Sequence, residues 1–410
     1  MSSGLIEIGE ARARVLERCA PLGVEAVALR RALGRALAED VSSADDVPAF
    51  DNSAMDGFAV RAADTRGATA AAPASLRIVD ESRAGAPAAS AVAAGEAIAI
   101  STGAMLPRGA DAVVRVEDTV ALDGSVEVAA EVEPGRDVRR AGDDVRAGEP
   151  LLAAGSPLGP AEVGVLASIG HPTVRCARRP RIAVVTTGDE LLDPSEPLRR
   201  GGVRNANAYS VPALAERSGS EVVAVEVVAD DRAATAAALE RALAADIAVV
   251  CGGVSVGEHD HVRAALAGLE VEQVFWGVAL RPGKPTWFGV HAGAPDSGAL
   301  VFGLPGNPVS AMVTFILLVR PAIGALLGAG VEARRTTAIL DQPYDKRPGR
   351  AHAVRCTLEL RDDGWHASPT GEQGSHVLTS MLGADALAIL PTASGPAAAG
   401  DRVDVELLPP

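Results

Sequence analysis

The spacing of apolar positions changes several times along the chain. Over residues 5–40 apolar and charged positions recur at helical spacing, in "IEIGEARARVLERCAPL" and again in "VALRRALGRALAEDV", which predicts helices. From 46 to 146 the texture is different. Glycine and proline are frequent, and short alternating runs such as "LRIVDES", "AIAIST", "DAVVRVED" and "GSVEVAAEVE" predict a β-rich domain with turns. Within 147–180, "LGPAEVGVLASIG" predicts a helix entered from a Pro-containing loop. Residues 1–45 and 147–180 together read as one N-terminal and linking domain.

From 181 to 330 apolar runs alternate with helical patterns. "RIAVVTTGDEL" reads as a strand, "NAYSVPALAERSG" as a helix, "SEVVAVEVVADD" as a strand, "RAATAAALERALAA" as a helix, and "DIAVVCGGVSVGEHD" as a strand and loop. Such alternation predicts a parallel sheet with crossover helices. Residues 331–410 return to short strands ("HAVRCTLELR", "ALAILPTAS", "DRVDVELLP") and predict a small β-domain. The fold class is thus mixed α/β and β, multidomain. In a parallel α/β sheet the ligand lies beyond the carboxyl ends of the strands. Here those ends are "TTGDE", "VADD", "CGGVSVGEHD" and "GLPGNP".

Composition narrows the function. Aromatic residues make up 3% of the 410, so Ala, Val and Leu must build the cores. A net charge of −15 argues against a general nucleic-acid binder, whose affinity rests on neutralising phosphates. The four cysteines are far apart and form no CxxC pair, which fits a reducing cytoplasm. The N-terminus carries no signal-peptide pattern. The longest apolar run, "AMVTFILLV", is too short to cross a bilayer. The reading is a cytoplasmic protein with no nucleic-acid or membrane partner.

Several loops could carry chemistry. In "FDNSAMDGFAV", Asp56 either belongs to a turn or presents a carboxylate to a metal or incoming group. In "TTGDEL", Thr186, Thr187 and the Gly188 amide either cap a following helix or bind an anion, with Glu190 holding a cation. "CGGVSVGEHD" resembles a phosphate loop without the Gly-Lys-Ser/Thr ending. There Ser255 and backbone amides are phosphate candidates, and Asp260 is either a metal ligand or a helix cap. Lys284 in "LRPGKPTWFG" is either a phosphate cation on a stiff segment or a solvated lysine. In "GLPGNPVS", Ser310 and nearby amides face an anion or merely form a turn. "GRDVRRAGDDV" sets Arg136, Arg139 and Arg140 against Asp143 and Asp144, and "RNANAY" offers amides. Oxyanion-binding loops with scattered carboxylates (Asp56, Glu190, Asp230, Asp260) suit magnesium and reaction at a phosphate anhydride.

In order along the chain, "PAFDNSAMDGFAV", "STGAMLPRGADAVVRVED", "GRDVRRAGDDVRAGEPLL", "TTGDEL", "CGGVSVGEHD", "RPGKPTWFG", "GLPGNPVSAM" and "GEQGSH" resemble the molybdopterin molybdenumtransferase family, MoeA and the gephyrin E domain. The resemblance spans about residues 5–408. It implies an elongated homodimer in which residues 181–330 bind molybdopterin. It further implies insertion of molybdenum from molybdate into adenylylated molybdopterin, with magnesium as cofactor and release of AMP. The molybdopterin adenylyltransferase becomes a further candidate partner. Carried over, Asp56, Thr102, Glu190, Asp230, Asp260, Pro305 and Pro308 are catalytic, with Glu190, Asp230 and Asp260 on the metal. Asp56 would come from the β-rich domain toward a partner's cleft. Substrate-binding positions are Thr187, Gly188, Asn207, Gly252, Gly253, Ser255, Arg281, Lys284, Gly306, Asn307, Ser310, Arg139, Arg140 and Ser375. Two departures stand out. Arg281 replaces a lysine common in bacterial relatives, and "RNAN" at 204–207 replaces the family's "YDTN", leaving Asn207 as the match. A tungstate-specific enzyme and a non-catalytic scaffold remain alternative readings.

Overall fold

The computed structural model describes residues 4–254, 261–292, 298–329 and 335–408. The chain folds into two compact units. The larger comprises Met1–Glu39, Ala154–Gly159 and Val174–Pro410, and the smaller Asp40–Ala153 and Pro160–Thr173.

The larger unit is built on a six-stranded sheet. Its spatial order is Glu221–Val228, Arg181–Thr187, Ile247–Cys251, Ala299–Leu304, Trp287–His291 and Glu272–Trp276. The first four strands are parallel, and the last two join antiparallel. Strands 247–251 and 299–304 are buried at every position. A sheet covered on both faces demands this continuous apolar pattern. Strand alternation then divides the side chains between two cores. Ile182, Val184, Ile247 and Val249 pack with the helices Ile8–Leu16, Asn207–Arg217 and the segment 308–326. Ala183, Val185, Ala248 and Val250 pack with the helices Arg232–Ala242 and His261–Gly268.

The helix Pro308–Leu326 is 19 residues long with mean hydropathy 2.0, enough by length and composition to cross a membrane. That differs from the expectation drawn from its shorter apolar run. Yet 78% of it is buried within the protein, and Val309, Val313, Ile316, Leu318 and Ile323 fill the core. Its apolar surface is consumed by packing, each buried side chain contributing about 1.5–3 kcal/mol.

The second helix expected near the N-terminus does not form. Val24–Ala28 is a strand paired with Thr173–Ala177, followed by the single 3-10 turn Leu29–Arg31. "VEAVA" buries only Val27, and Gly34 at φ +72° stops any helical continuation.

The C-terminal strands close into a barrel. Ala351–Arg361 pairs with Gly364–Pro369, which pairs with Arg335–Leu340, then Arg402–Leu407, then Ala386–Leu390, and this last strand pairs back onto 351–361. Closure uses residues 356–361 of the long strand on one side and 352–356 on the other, which leaves one edge open at its start. Leu280–Arg281, in the connection between two strands of the α/β sheet, adds in parallel to Ala351 and His352 of the barrel.

The smaller unit has its own six-stranded sheet, with strand order Ala112–Arg115, Gly57–Val60, Glu96–Ile100, Ala74–Ser82, Ser125–Val128 and Thr119–Leu122. Phe58, Val60, Leu76, Val114, Val126 and Val128 form its core. The helix Pro160–Ser168 belongs to this unit.

Candidate functional site

In the large sheet the chain's first strand, 181–187, lies between its second, 221–228, and its third, 247–251. The connections leave in opposite directions from that point, and this reversal opens a crevice at the carboxyl ends. Thr187 ends the first strand, and its Oγ1 is buried without a hydrogen-bond partner. Opposite it, Gly252 (φ +99°) and Gly253 (φ +63°) follow the third strand. A Cβ on Gly252 would lie 2.9 Å from the Thr187 carbonyl oxygen, and one on Gly253 2.6 Å from Val262 Cγ2. Only backbone fits there, as a site admitting a phosphate to main-chain amides requires.

Thr187 does not cap a following helix. After it comes a loop in which Leu191–Leu192 pairs with Val203–Arg204, and the helix begins only at Asn207. Thr186 Oγ1 instead accepts from Asn205 Nδ2 at 2.8 Å, while Asn205 Oδ1 accepts from the Ala208 amide at 3.1 Å. Arg204 turns toward the carbonyls of Asp193, Pro194 and Glu196. The altered "RNAN" stretch thus braces the strand end and its loop. Asn207 alone reaches the opposite wall, donating from Nδ2 to the Gly306 carbonyl at 2.7 Å.

Two carboxylates share the first and second strand ends. The Gly188 amide donates to the Val228 carbonyl at 3.1 Å, and Asp189 Oδ1 accepts from the Asp230 amide at 3.0 Å. Glu190 lies over Gly188 so closely that a Cβ there would be 2.5 Å from Glu190 Oε2. Glu190 and Asp230 are exposed, and neither has an ion-pair partner among the described residues. Asp231, not Asp230, caps the next helix, accepting from the Ala234 amide at 2.8 Å. Ser255 and Asp260 lie outside the described residues. Among those described, no three His, Cys, Asp or Glu side chains are grouped to hold a metal. Two hard oxygen donors free of basic partners fit magnesium, which takes one or two carboxylates and keeps its waters.

The "GLPGNPVS" loop forms the next wall. Gly306 approaches Gly252, a Cβ on it falling 3.7 Å from Gly252 Cα. Asn307 Nδ2 donates to Ser375 Oγ at 3.2 Å. Pro308 opens the long helix in its first turn, where a missing N–H costs nothing. Beside this loop lies a cavity of about 570 Å³ lined by Arg281, Lys284, Pro305, Asn307, Ser310, Arg350, Ser375 and His376 among others. Pairing of Arg281 with His352 brings it next to Arg350. Lys284 is carried on a braced loop: Gly283 (φ +121°) leaves no room for a Cβ, which would meet Thr314 Cγ2 at 2.5 Å, and Thr286 Oγ1 donates to the Gly283 carbonyl at 2.7 Å. The cavity therefore carries three cationic side chains, hydroxyl and amide donors, and the amino end of a helix, an arrangement suited to an oxyanion.

Sequence reading missed Arg350, which belongs to no quoted motif, and took only Ser375 from "GEQGSH". It also passed over Arg355, 1% exposed on an otherwise apolar strand segment. Arg355 Nη2 donates to the Gly374 carbonyl at 3.3 Å, Nε to Ser380 Oγ at 3.1 Å, and its amide to Gln373 Oε1 at 2.9 Å. It fixes the cavity's 373–375 wall from behind. A charged residue interrupting "HAVRC" was the available signal. His352, behind Arg281, is pushed down to about 4 by burial and then by Arg281, Lys346 and Arg350, so it is neutral at pH 7.

In the smaller unit, Asp56 Oδ1 accepts from the Thr102 amide at 2.7 Å and from Thr102 Oγ1 at 3.2 Å. Both residues are exposed. Arg139 pairs through its backbone with Asn52. The Arg140 guanidinium pairs with Asp51 at 2.6 Å, not with Asp143 or Asp144, and Arg136 pairs with Asp137 at 3.2 Å. The Ala141 amide, then Arg140, hold the Asp51 carboxyl below its ordinary range. Asp143 instead accepts from the Arg140 amide at 2.6 Å.

Residues 6–170 match the family described as MoeA N-terminal region (domain I and II), 183–325 the probable molybdopterin binding domain, and 337–408 the MoeA C-terminal region (domain IV). The molybdopterin molybdenumtransferase of Haemophilus influenzae is 36% identical over 409 residues, covering 98% of each chain. That of Staphylococcus aureus is 32% identical, covering 98% of this chain and 95% of its own. A crystal structure of the molybdopterin biosynthesis MoeA protein from Pyrococcus horikoshii superposes with a TM-score of 0.82 at 30% identity, over 98% of this chain and all of that one. With its crevice, its cationic cavity and this likeness running end to end, the chain belongs to the molybdopterin molybdenumtransferase family.

Proposed function

We propose that this chain inserts molybdenum from molybdate into adenylylated molybdopterin and releases AMP. The observation that carries the reading is the "GLPGNPVS" loop, one wall shared by two different pockets. On one side Gly306 meets Gly252 and Asn207 at the strand ends. On the other, Pro305, Asn307 and Ser310 line the cavity of Arg281, Lys284 and Arg350. A phosphoanhydride bound over the side-chain-free turns at Gly252 and Gly253 would lie beside an oxyanion held by those cations.

The residues divide the work by their chemistry. The amides of Gly188 and Gly252 are engaged with the carbonyls of Val228 and Leu304, while Gly252 and Gly253 keep side chains clear of phosphate oxygens and buried Thr187 Oγ1 awaits a partner there. Arg281, Lys284 and Arg350 attract a tetrahedral dianion, while Ser310, Asn307 and Ser375 orient it by hydrogen bonds. Magnesium on Glu190 and Asp230 would supply neutralisation of charge on the phosphoanhydride. In the reaction the two dithiolene thiols bond to molybdenum as one molybdate oxygen leaves with their protons as water, and a water adds to phosphorus as the anhydride P–O bond breaks, freeing AMP, with no change of oxidation state. The chain supplies orientation and electrostatic stabilisation, with no covalent nucleophile required. Asp56 and Thr102, bonded to each other within the smaller unit, complete the set of candidate catalytic residues. The acting form is a homodimer, which sedimentation of the purified protein tests.

The direct test is incubation of purified protein with adenylylated molybdopterin, magnesium and either molybdate or tungstate, with AMP measured by chromatography. Molybdate-dependent AMP release is expected. Binding of the intermediate without turnover under both oxyanions would overturn the assignment in favour of a scaffold.

A further inference from the structure

The opposite end of the large sheet carries a second basic pocket. Arg181 begins the strand that Thr187 ends. Six residue steps separate them, roughly 20 Å at ~3.3 Å per residue. At this far end a cavity of about 390 Å³ is lined by Arg31, Arg35, Arg178, Arg179 and Arg181, together with Glu25 and Glu221.

Two of the five arginines have partners. Arg178 forks onto Asp246 at 2.8 and 2.9 Å. Arg35 reaches Glu25 at 2.5 Å and the Ala177 carbonyl at 2.8 Å. Arg31 and Arg179 have no ion-pair partner among the described residues, and Arg181 meets Asp246 through its backbone amide, at 2.7 Å, with no guanidinium ion pair. Arg35 is 9% exposed, and its buried Nε has no hydrogen-bond partner. A buried guanidinium N–H left unpaired is costly, which makes it a donor prepared for a ligand. Positive charge thus predominates in this pocket of a chain whose net charge is −15.

We propose that this pocket binds a small phosphorylated anion of the pyrophosphate class, separate from the oxyanion cavity. The volume suits a small molecule. Guanidinium forks match phosphate oxygens in pairs. The acidic remainder of the chain disfavours an extended nucleic acid.

Inorganic pyrophosphate is the probe, titrated calorimetrically into the full chain. Because the other cavity also attracts oxyanions, the background is the Arg281→Ala/Lys284→Ala variant. It should still take up pyrophosphate, and the share lost on the next two substitutions is the share held by this pocket, since they leave the strand-end turns intact. Adding Arg179→Ala and Arg181→Ala should weaken that binding tenfold or more per arginine, the scale of a hydrogen bond to a charged group. Both side chains are exposed, so the fold should survive, as circular dichroism would verify. No binding in the first background, or undiminished binding after the second pair, overturns the proposal. So does a result in which the second pair alters only sedimentation, since the arginines would then serve a protein contact.

Discussion

Asn207 offers a sharp test of how the cleft is held together. Its Nδ2 donates to the Gly306 carbonyl at 2.7 Å, and the residue is 7% exposed. Its Oδ1 is buried without a partner. Replacement by alanine removes a bond with a net contribution of about 0.5–1.5 kcal/mol. It also removes an unpaired acceptor, and exposed Gly306 can regain water. Asn207→Ala should therefore cost only about 1 kcal/mol. Asn207→Asp keeps the size but loses the donor, setting a carboxylate oxygen against the Gly306 carbonyl. That repulsion plus partial burial of charge should cost about 2–3 kcal/mol. Activity should suffer more than stability in the alanine variant. Gly306 and Asn307 define both pockets, and a shift of ~1 Å in a positioning element costs ~100-fold in rate. Urea unfolding midpoints and molybdate-dependent AMP release give the two readings. Near-wild-type stability and turnover in the aspartate variant would refute the idea that Asn207 holds this wall.

Other consequences follow from the same geometry. Arg281→Ala and Lys284→Ala should each raise the KM for molybdate about tenfold or more, with a smaller penalty as salt rises, because the lost interaction is with a charge; an unchanged KM would remove them from oxyanion binding. Glu190→Gln and Asp230→Asn should each raise the magnesium concentration needed for half-maximal AMP release, and an unmoved magnesium dependence would place the metal elsewhere. His352, held down at about 4, is neutral in the folded protein where the unfolded chain takes a proton. Stability should therefore fall as pH drops from 6.5 to 4, and His352→Gln should flatten that slope in urea titrations. His366 moves oppositely: Asp363 and then Asp341 raise it. Its contribution is present below 6.5 and fades as pH climbs through its raised value, so His366→Gln should cost more at pH 5 than at pH 9.

Much of the fold is legible from periodicity because the local pattern and the tertiary environment agree. Continuous apolar runs at 247–251 and 299–304 are the central strands, and "NAYSVPALAERS" is the helix Asn207–Arg217. Legibility fails where a local pattern serves two masters. "VEAVALRRALGRAL" has helical spacing, yet Val24–Ala28 finds a partner at Thr173–Ala177, well over a hundred residues away. No local reading contains that pairing. "TTG" looks like a helix start, but Asn205, nineteen positions beyond Thr186, takes the Thr186 hydroxyl and leaves Thr187 open. Arg350 is hidden for the same reason: it becomes a cavity residue only when Arg281 pairs onto the barrel strand beside it.

The stiffness of "GLPGNPVS" follows from what its neighbours lack. The turns facing it, at Gly188, Gly252 and Gly253, carry no side chains that could lock them. Each keeps the strand ends free of side chains where a ligand would lie, with the Gly188 and Gly252 amides held by the carbonyls of Val228 and Leu304. Rigidity then has to come from the remaining wall. Pro305 is buried at the end of a fully buried strand, and Pro308 enters a helix that is 78% buried. Between them Gly306 and Asn307 are tethered sideways, to Asn207 on one flank and to Ser375 on the other. The core thus clamps both ends of a four-residue span, and two amide side chains fix its middle. A loop made mobile here would blur both pockets at once, whereas a loop made of helix would close the gap through which Gly306 approaches Gly252.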